Sequence, residues 1–132
     1  MNQEFDLPAA LTELLYGDET AESLDDTLDR LVTPNFVQRI NGRVYGRSEY
    51  LAHVREMRRM VAGGGEMRVL EQISTNTGTA GRYLFRMVSP EGQESIFESH
   101  LFARINGGRA ERFVEVARQV VDDDDEDLLL DR

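Results

Sequence analysis

One carboxylate in this sequence sits among apolar neighbours in strand-like alternation. Glu115 falls within Phe113-Val114-Glu115-Val116-Ala117, where a strand would turn Phe113, Glu115 and Ala117 to one face. If Leu101 faces the interior, then Phe97, Ser99 and Ala103 do too, and the neighbouring strands send in Tyr83, Phe85 and Met87. A carboxyl held among such rings is desolvated, which raises its pKa and makes it a general acid or base near neutral pH. Arg39 would hold a ligand carboxylate or carbonyl, or neutralise Glu115. The competing reading pairs Glu115 with an arginine at the rim and gives it no chemistry, since ion pairs also perturb carboxylates. Tyr16, ending an amphipathic helix, either reaches the pocket mouth or packs. Glu115 is thus the candidate catalytic residue. Tyr16, Arg39, Tyr83, Phe85, Met87, Phe97, Ser99, Leu101 and Phe113 form the candidate ligand-binding set.

Other chemistries find no residues to carry them. The chain has no cysteine and only two histidines, His53 and His100. They fall on different elements with no tight carboxylate cluster beside them, so neither a metal nor another cofactor is expected. His100 faces outward on the register above; a slip of one residue would send it into the pocket. The formal net charge is -10, which disfavours phosphate backbones, so nucleic acid is not expected as a partner. Arg55, Arg58 and Arg59 are expected to form the solvated face of a helix. Residues 1–6 lack a basic region followed by an apolar run, and no apolar stretch approaches the roughly 20 residues that cross a bilayer. A soluble, cytoplasmic protein without membrane contact is the expectation.

The elements that would position these residues follow in order. At 132 residues the chain suits one domain with one core. Asp6 can cap a helix with Pro8 in its first turn and Leu7, Leu11, Leu14 and Leu15 on one face; Gly17 ends it. Leu24, Leu28 and Leu31 mark a second helix, with Asp18, Glu19 and Glu22 near its positive end and Pro34 as its stop. Phe36–Ile40, Asn41-Gly42 and Arg43–Tyr45 predict a hairpin. Ser48 can cap a third helix with Tyr50, Leu51, Val54, Met57 and Val61 as its stripe, released at Gly63-Gly64-Gly65. Beyond Glu66 the period becomes two, and long strands joined by short turns predict an antiparallel meander. Helices first and strands last predict an α+β layer fold. The domain is expected over 1–121, with 122–132 as an acidic extension whose Leu128-Leu129-Leu130 either stays solvated or docks.

Gly17-Asp18 after the first helix, Gly46-Arg47-Ser48-Glu49 opening the third, and Arg104-Ile105-Asn106-Gly107-Gly108-Arg109 in the last hairpin stand in an order that resembles the nuclear transport factor 2-like superfamily. The small bacterial SnoaL-like and ketosteroid isomerase-like proteins look closest, and the resemblance covers Leu7 to Val121. It implies a cone-shaped, curved antiparallel sheet (a cystatin-like roll) packed on three N-terminal helices around an apolar pocket. It also implies what is missing. The steroid isomerases use a carboxylate base and an oxyanion hole of tyrosine and protonated aspartic acid; the corresponding positions here hold Arg39, Ala10 and Leu101. None can play those parts, and Gln38 or Ile40 is no better as a base. Related epoxide hydrolases use aspartates inside the meander, yet none occurs between Asp29 and Asp122. In cyclase-like relatives an acid often follows the aromatic of the final strand; Arg118 lies near that point.

Three functions stay open. The first is a binding module whose apolar pocket takes a small hydrophobic or carbonyl-bearing molecule. The second is an isomerase, cyclase or dehydratase with Glu115 as base and Tyr83 or Arg39 stabilising the oxyanion. The third is a dimeric adaptor with a filled cavity. The outer sheet face, with Arg82, Glu98, His100, Phe102 and Arg112, is the expected homodimer surface, paired through Glu98 with Arg82 or Arg112.

Overall fold

The computed structural model describes residues 5–121, and the acidic extension 122–132 lies outside the described residues. Three helices precede most of the sheet: α1 (Leu7–Tyr16), α2 (Leu24–Leu31) and α3 (Arg47–Met60). The strands are β1 (Val32–Ile40), β2 (Arg43–Tyr45), β3 (Gly64–Ser74), β4 (Gly78–Val88), β5 (Glu94–Asn106) and β6 (Arg109–Gln119). They form one sheet in the order β2-β1-β6-β5-β4-β3. Its end strands do not meet, and register shifts in β1–β6, β3–β4 and β5–β6 interrupt the ladders. Such irregularities bend strands and raise their twist, so the sheet curves without closing. The fold is the expected α+β cone.

The helices begin and end largely where the sequence places them. Asp6 Oδ1 accepts from Ala9 N at 3.0 Å, and Pro8 sits in the first turn. Ser23 caps α2 through Asp26 N at 3.1 Å, so Asp18, Glu19 and Glu22 lie before the helix, and Asp25 and Asp26 are the acids of its first turn. α3 differs: Gly46, not Ser48, is its N-cap, and Glu49 Oε1 reaches back to accept from Gly46 N at 2.8 Å. Pro34 does not stop α2, which has already ended at Leu31; it lies in β1, where pairing with β6 is interrupted between Val32 and Val37. A proline without an N–H is tolerated at such a break. Asn41 (φ 51°) and Gly42 (φ 85°) form the expected hairpin turn, both in the left-handed region that a two-residue connection requires.

One pairing departs from an all-antiparallel sheet. β3 to β6 are joined by short turns and run antiparallel, as expected. β1, however, pairs parallel with β6. Parallel neighbours need a long crossover, and here the crossover is most of the chain, from β2 through β5.

The core lies between the helices and the concave face of the sheet. Leu7, Leu11 and Leu14 of α1 meet Leu24 and Leu28 of α2 there, all buried. Phe36 stands at its centre, 4.8 Å from the Tyr50 ring and 5.0 Å from Phe113 in an edge-to-face arrangement. Such aromatic pairs add stability beyond the area they bury.

Arg58 corrects the reading of the basic helix face. It is not solvated: its side chain is 9% exposed. Nε donates to Leu14 O at 2.7 Å and Nη2 to Glu13 O at 2.8 Å. The guanidinium therefore satisfies carbonyls at the end of α1 that the helix leaves without partners. A Cβ on Gly17 would stand 2.2 Å from Glu13 O and 2.6 Å from Arg58 Nη2, so only glycine fits there. Arg58→Met should lower unfolding stability by about 2 kcal/mol in urea titrations, the range for buried hydrogen bonds from a charged donor. Arg59→Ala, which removes only an exposed pair with Glu56, should change it by under ~0.5 kcal/mol.

Candidate functional site

A cavity of about 330 Å³ opens between α1, α3 and the concave side of the sheet. Helix residues Leu11, Leu15, Val54 and Met57 form one wall; Phe85, Met87, Phe97 and Phe113 form the other. Such a chamber, mostly apolar with a few convergent polar groups, has the makeup of a small-molecule site. A second recess adjoins it beyond Met60, Met87 and Phe97, which border both.

Glu115 is the one carboxylate in the wall of the main cavity among the described residues. Two neutral groups hold it: Ser99 Oγ donates to Oε2 at 2.6 Å and Gln38 Nε2 to Oε1 at 3.0 Å. The rim arginine pair of the competing reading is not what fixes it. Burial pushes the Glu115 carboxyl above its usual range, and the hydrogen bonds from Ser99 and Gln38 pull back only part of the way.

The hairpin positions this carboxyl. Register sets Ile40 beside Glu115 and Gln38 beside Phe113. Asn41 then fixes the junction: its N–H donates to Glu115 O at 3.0 Å, Nδ2 donates to Ala117 O at 3.1 Å, and Oδ1 accepts from Ala117 N at 3.0 Å. Both backbone groups of Ala117 are thereby bound by one side chain.

Of the residues expected in the pocket, Phe85, Met87, Phe97, Ser99, Phe113 and Glu115 line it. Four do not. Arg39 is exposed, while Gln38, the next residue along, is buried and lines the cavity. The alternation set by the buried Phe36 carries Gln38 inward and Arg39 outward. Tyr16 packs: its hydroxyl donates to Glu66 O at 3.1 Å and Arg86 O at 2.9 Å, tying the end of α1 to β3 and β4. Tyr83 is fully buried behind the wall, its hydroxyl on Gln72 Oε1 at 2.7 Å. Burial pushes that hydroxyl up to about 12, and it is not placed to stabilise an oxyanion in the cavity. Leu101 is buried in the core rather than in the lining.

Two further polar residues of the wall come from α3. Tyr50, expected only as part of an apolar stripe, presents a phenol with no hydrogen-bond partner among the described residues. Burial, and secondarily the charge of Glu115, hold its pKa far above the usual tyrosine value, so it remains a donor. His53 also lines the cavity and stacks on Tyr45 with centroids 4.9 Å apart. Burial and then Arg43 lower its pKa below the usual histidine value. Only the helical spacing Tyr50, His53, Val54, Met57 in the sequence could have signalled this wall.

His100 points outward as the register required. It joins Arg82 and Arg118 around Glu98: Nε2 lies 2.9 Å, Arg82 Nη1 3.0 Å and Arg118 Nε 2.9 Å from its oxygens. Burial pushes Glu98 up, but these bonds outweigh it and its pKa is lowered. Glu98 thus has three partners within its own chain. Among the described residues no cluster of three or more potential ligands could hold a metal ion, and no helix is long and apolar enough to cross a membrane.

The raised Glu115 pKa carries a sign. Between the usual carboxylate range and its raised value, the folded chain holds a proton that the unfolded chain has released. Stability from this group must therefore fall as pH rises through that window. Glu115→Gln should remove that component, making the variant more stable than the parent at pH 8 and closer to it at pH 4. Paired thermal unfolding of the two across that range checks it, since other titrating groups cancel in the difference.

A scan of protein-family models and a search of curated sequences gave no match. Solved structures do resemble the chain. AusH from Aspergillus nidulans has a TM-score of 0.68 at 14% identity, covering 86% of this chain and 81% of its own. An NTF2-like protein from Anabaena variabilis has a TM-score of 0.66 at 12% identity, covering 86% of each chain. A SnoaL-like polyketide cyclase from Agrobacterium tumefaciens has a TM-score of 0.62 at 21% identity, covering 83% and 86%. With three helices packed on a curved, open sheet, the chain has the nuclear transport factor 2-like fold of these structures.

Proposed function

We propose that the cavity binds a small, largely hydrophobic molecule carrying one oxygen function, seated with that oxygen toward Glu115, Gln38 and Tyr50. The observation that carries this reading is a carboxyl held by two neutral groups in the wall of an otherwise apolar chamber. A chamber that served packing alone gains nothing from a desolvated carboxyl. The steroid isomerase arrangement does not support a richer reading, because Arg39 points away and Leu101 lies behind the wall.

A second reading rests on the raised pKa of Glu115. A carboxyl in that state can move a proton next to a ligand carbonyl, with Tyr50 rather than Tyr83 donating to the oxygen. The polyketide cyclase likeness is compatible with such chemistry but at 21% identity speaks for the fold.

A thermal-shift screen with small carbonyl, steroid-like and fatty compounds tests the pocket. A binder at a hundred times its Kd should add about 2.7 kcal/mol of stability. Ala117→Phe, which fills the chamber from its wall, should abolish the shift while leaving the fold intact. If parent and variant respond alike, the ligand lies elsewhere and the reading fails. Any binder that is turned over should lose turnover, and keep its affinity, in Glu115→Gln; turnover surviving that change removes Glu115 from the chemistry.

We also infer a homodimer through the outer sheet face. Phe102 and Val116 are 37% and 62% exposed there, and Val114 stands opposite Phe102 in the register. Contiguous apolar surface of this kind favours burial against a second copy. Sedimentation should show a dimer that Val116→Arg converts to monomer; a monomeric parent would refute it.

A further inference from the structure

The space open to a ligand does not end at Met60, Met87 and Phe97. These three side chains also border the adjoining recess, which measures about 360 Å³, a little more than the cavity itself. Alone, the cavity stands near the lower limit of small-molecule sites, roughly 300 Å³; with the recess the room about doubles. Side chains, not backbone, make the border. Met60, on the last turn of α3, is 47% exposed, and Phe97 is half-buried. Methionine is unbranched and polarisable, so it can shift to let one molecule occupy both compartments.

The outer walls of the recess are pinned to each other. On one side stands the end of α3, with Glu56 and Arg59; on the other stand the β4–β5 turn and the start of β5, with Ser89, Glu91, Gln93 and Ser95. The turn is closed by three bonds: Ser89 N donates to Gln93 O at 2.9 Å, Gln93 N to Ser89 Oγ at 3.1 Å and Gly92 N to Ser89 O at 2.8 Å. The segment leaving α3 lies directly against it. Gly63 N donates to Val88 O at 2.8 Å, and a Cβ on Gly63 would stand 2.0 Å from Ser89 O. The recess is thus held open by the same backbone that frames the cavity.

The two compartments differ in chemistry. Rings and aliphatic chains dominate the cavity, whereas the recess is bordered by two hydroxyls, an amide, two carboxylates and a guanidinium. The side chains of Glu91, Gln93 and Ser95 have no hydrogen-bond partner among the described residues. Glu56 and Arg59 pair with each other, so charges of both signs stand at the border and a charged end group would meet a like charge. A hydroxyl donates and accepts, and so suits carboxylate, amide and hydroxyl neighbours alike. We propose that the recess is a second subsite of the same pocket, and that the ligand is an elongated molecule with its apolar body in the cavity and an uncharged, hydroxyl-rich end, such as a sugar, in the recess. The inference rests on the pocket reading above and extends it to a class of ligand, a glycosylated or polyhydroxylated hydrophobe. It assigns Gln93, Glu91 and Ser95 as specificity-determining residues.

The test uses four probes with one body, 2-naphthol, whose oxygen can face Glu115, and different ethers at the far ring position 6: methyl, β-glucosyl, carboxymethyl and aminoethyl. Their Kd values for the full chain are measured by calorimetry at pH 7. The glucoside should bind roughly tenfold more tightly than the methyl ether, the worth of one or two hydrogen bonds, and more tightly than either charged ether. Ser95→Trp, which fills the recess from β5, should remove that advantage and leave the methyl ether's Kd unchanged. The double variant Glu91→Ala/Gln93→Ala, which alters only exposed side chains of the turn, should do the same and serves if the tryptophan does not fold. A glucoside no tighter than the methyl ether overturns this inference and leaves the pocket reading standing. So does a charged ether that binds more tightly than the glucoside, or a glucoside advantage that survives in the folded variants. If none of the four binds at millimolar concentration, the pocket reading itself falls, and this inference with it.

Discussion

The parallel pairing of β1 with β6 is the constraint on which the rest of the molecule depends. It is the contact between the N-terminal hairpin and the meander, and it is made between residues 75 apart in sequence: Gln38 beside Phe113 and Ile40 beside Glu115. The contacts between β1 and the polar residues of β6 follow from it. Gln38 meets Glu115 because their strands lie side by side, and Asn41 reaches Ala117 because the hairpin turn falls at that level. The aromatic contact of Phe36 with Phe113 secures the same pairing from the core side. Bringing together residues this far apart incurs a loop-closure entropy cost that adjacent strands avoid, so this part of the sheet is expected to form late and to rely on the helices packing beneath it.

Arginines hold the other joints. Arg58 closes the end of α1, and Arg47 pairs with Asp29 of α2. Arg109 Nη1 donates to Asp29 O at 3.1 Å and to Val32 O at 3.4 Å, tying the exit of α2 to the start of β6. Three of the local sequence markers that suggested the fold therefore have plain structural duties. Gly17 leaves room for Arg58, Gly46 and Glu49 open α3, and Arg109 braces the junction of α2 and β1. Residues that build joints are required by any protein with this architecture, whatever it does. That is why they identified the fold from sequence and said nothing of activity.

What was legible in the sequence was local. Asp6 as a cap, Asn41-Gly42 as a turn and the alternation from Phe97 to Ala103 each follow from a few neighbouring residues, and each stands as read. The outward His100 and inward Glu115 came from the same period of two. What was not legible depended on distant contacts. Arg58 looked like a surface charge because its partners, the carbonyls of Glu13 and Leu14, lie more than forty residues earlier. Arg39 was placed inward by analogy with a catalytic position, although the apolar Phe36 two residues before Gln38 already carried the correct phase. The parallel β1–β6 contact left no mark on either strand, since short-turn reasoning governs only consecutive strands.

The cavity itself poses an energetic question that bears on function. A leucine at position 115 would avoid desolvating a carboxyl, and the wall around it is already apolar. Gln38 likewise leaves an acceptor buried without a partner, a cost that an aliphatic side chain would not incur. Two such costs side by side, in a chamber of about 330 Å³ that its own side chains do not fill, are poorly explained by packing. They are well explained if the free protein is not the state for which the wall is arranged. A molecule whose oxygen meets Glu115 would recover in binding part of what the empty chamber forgoes in stability. On this argument the polar pair and the cavity are one feature, and the fold around them is the rigid frame that keeps the pair from relaxing into a simpler core.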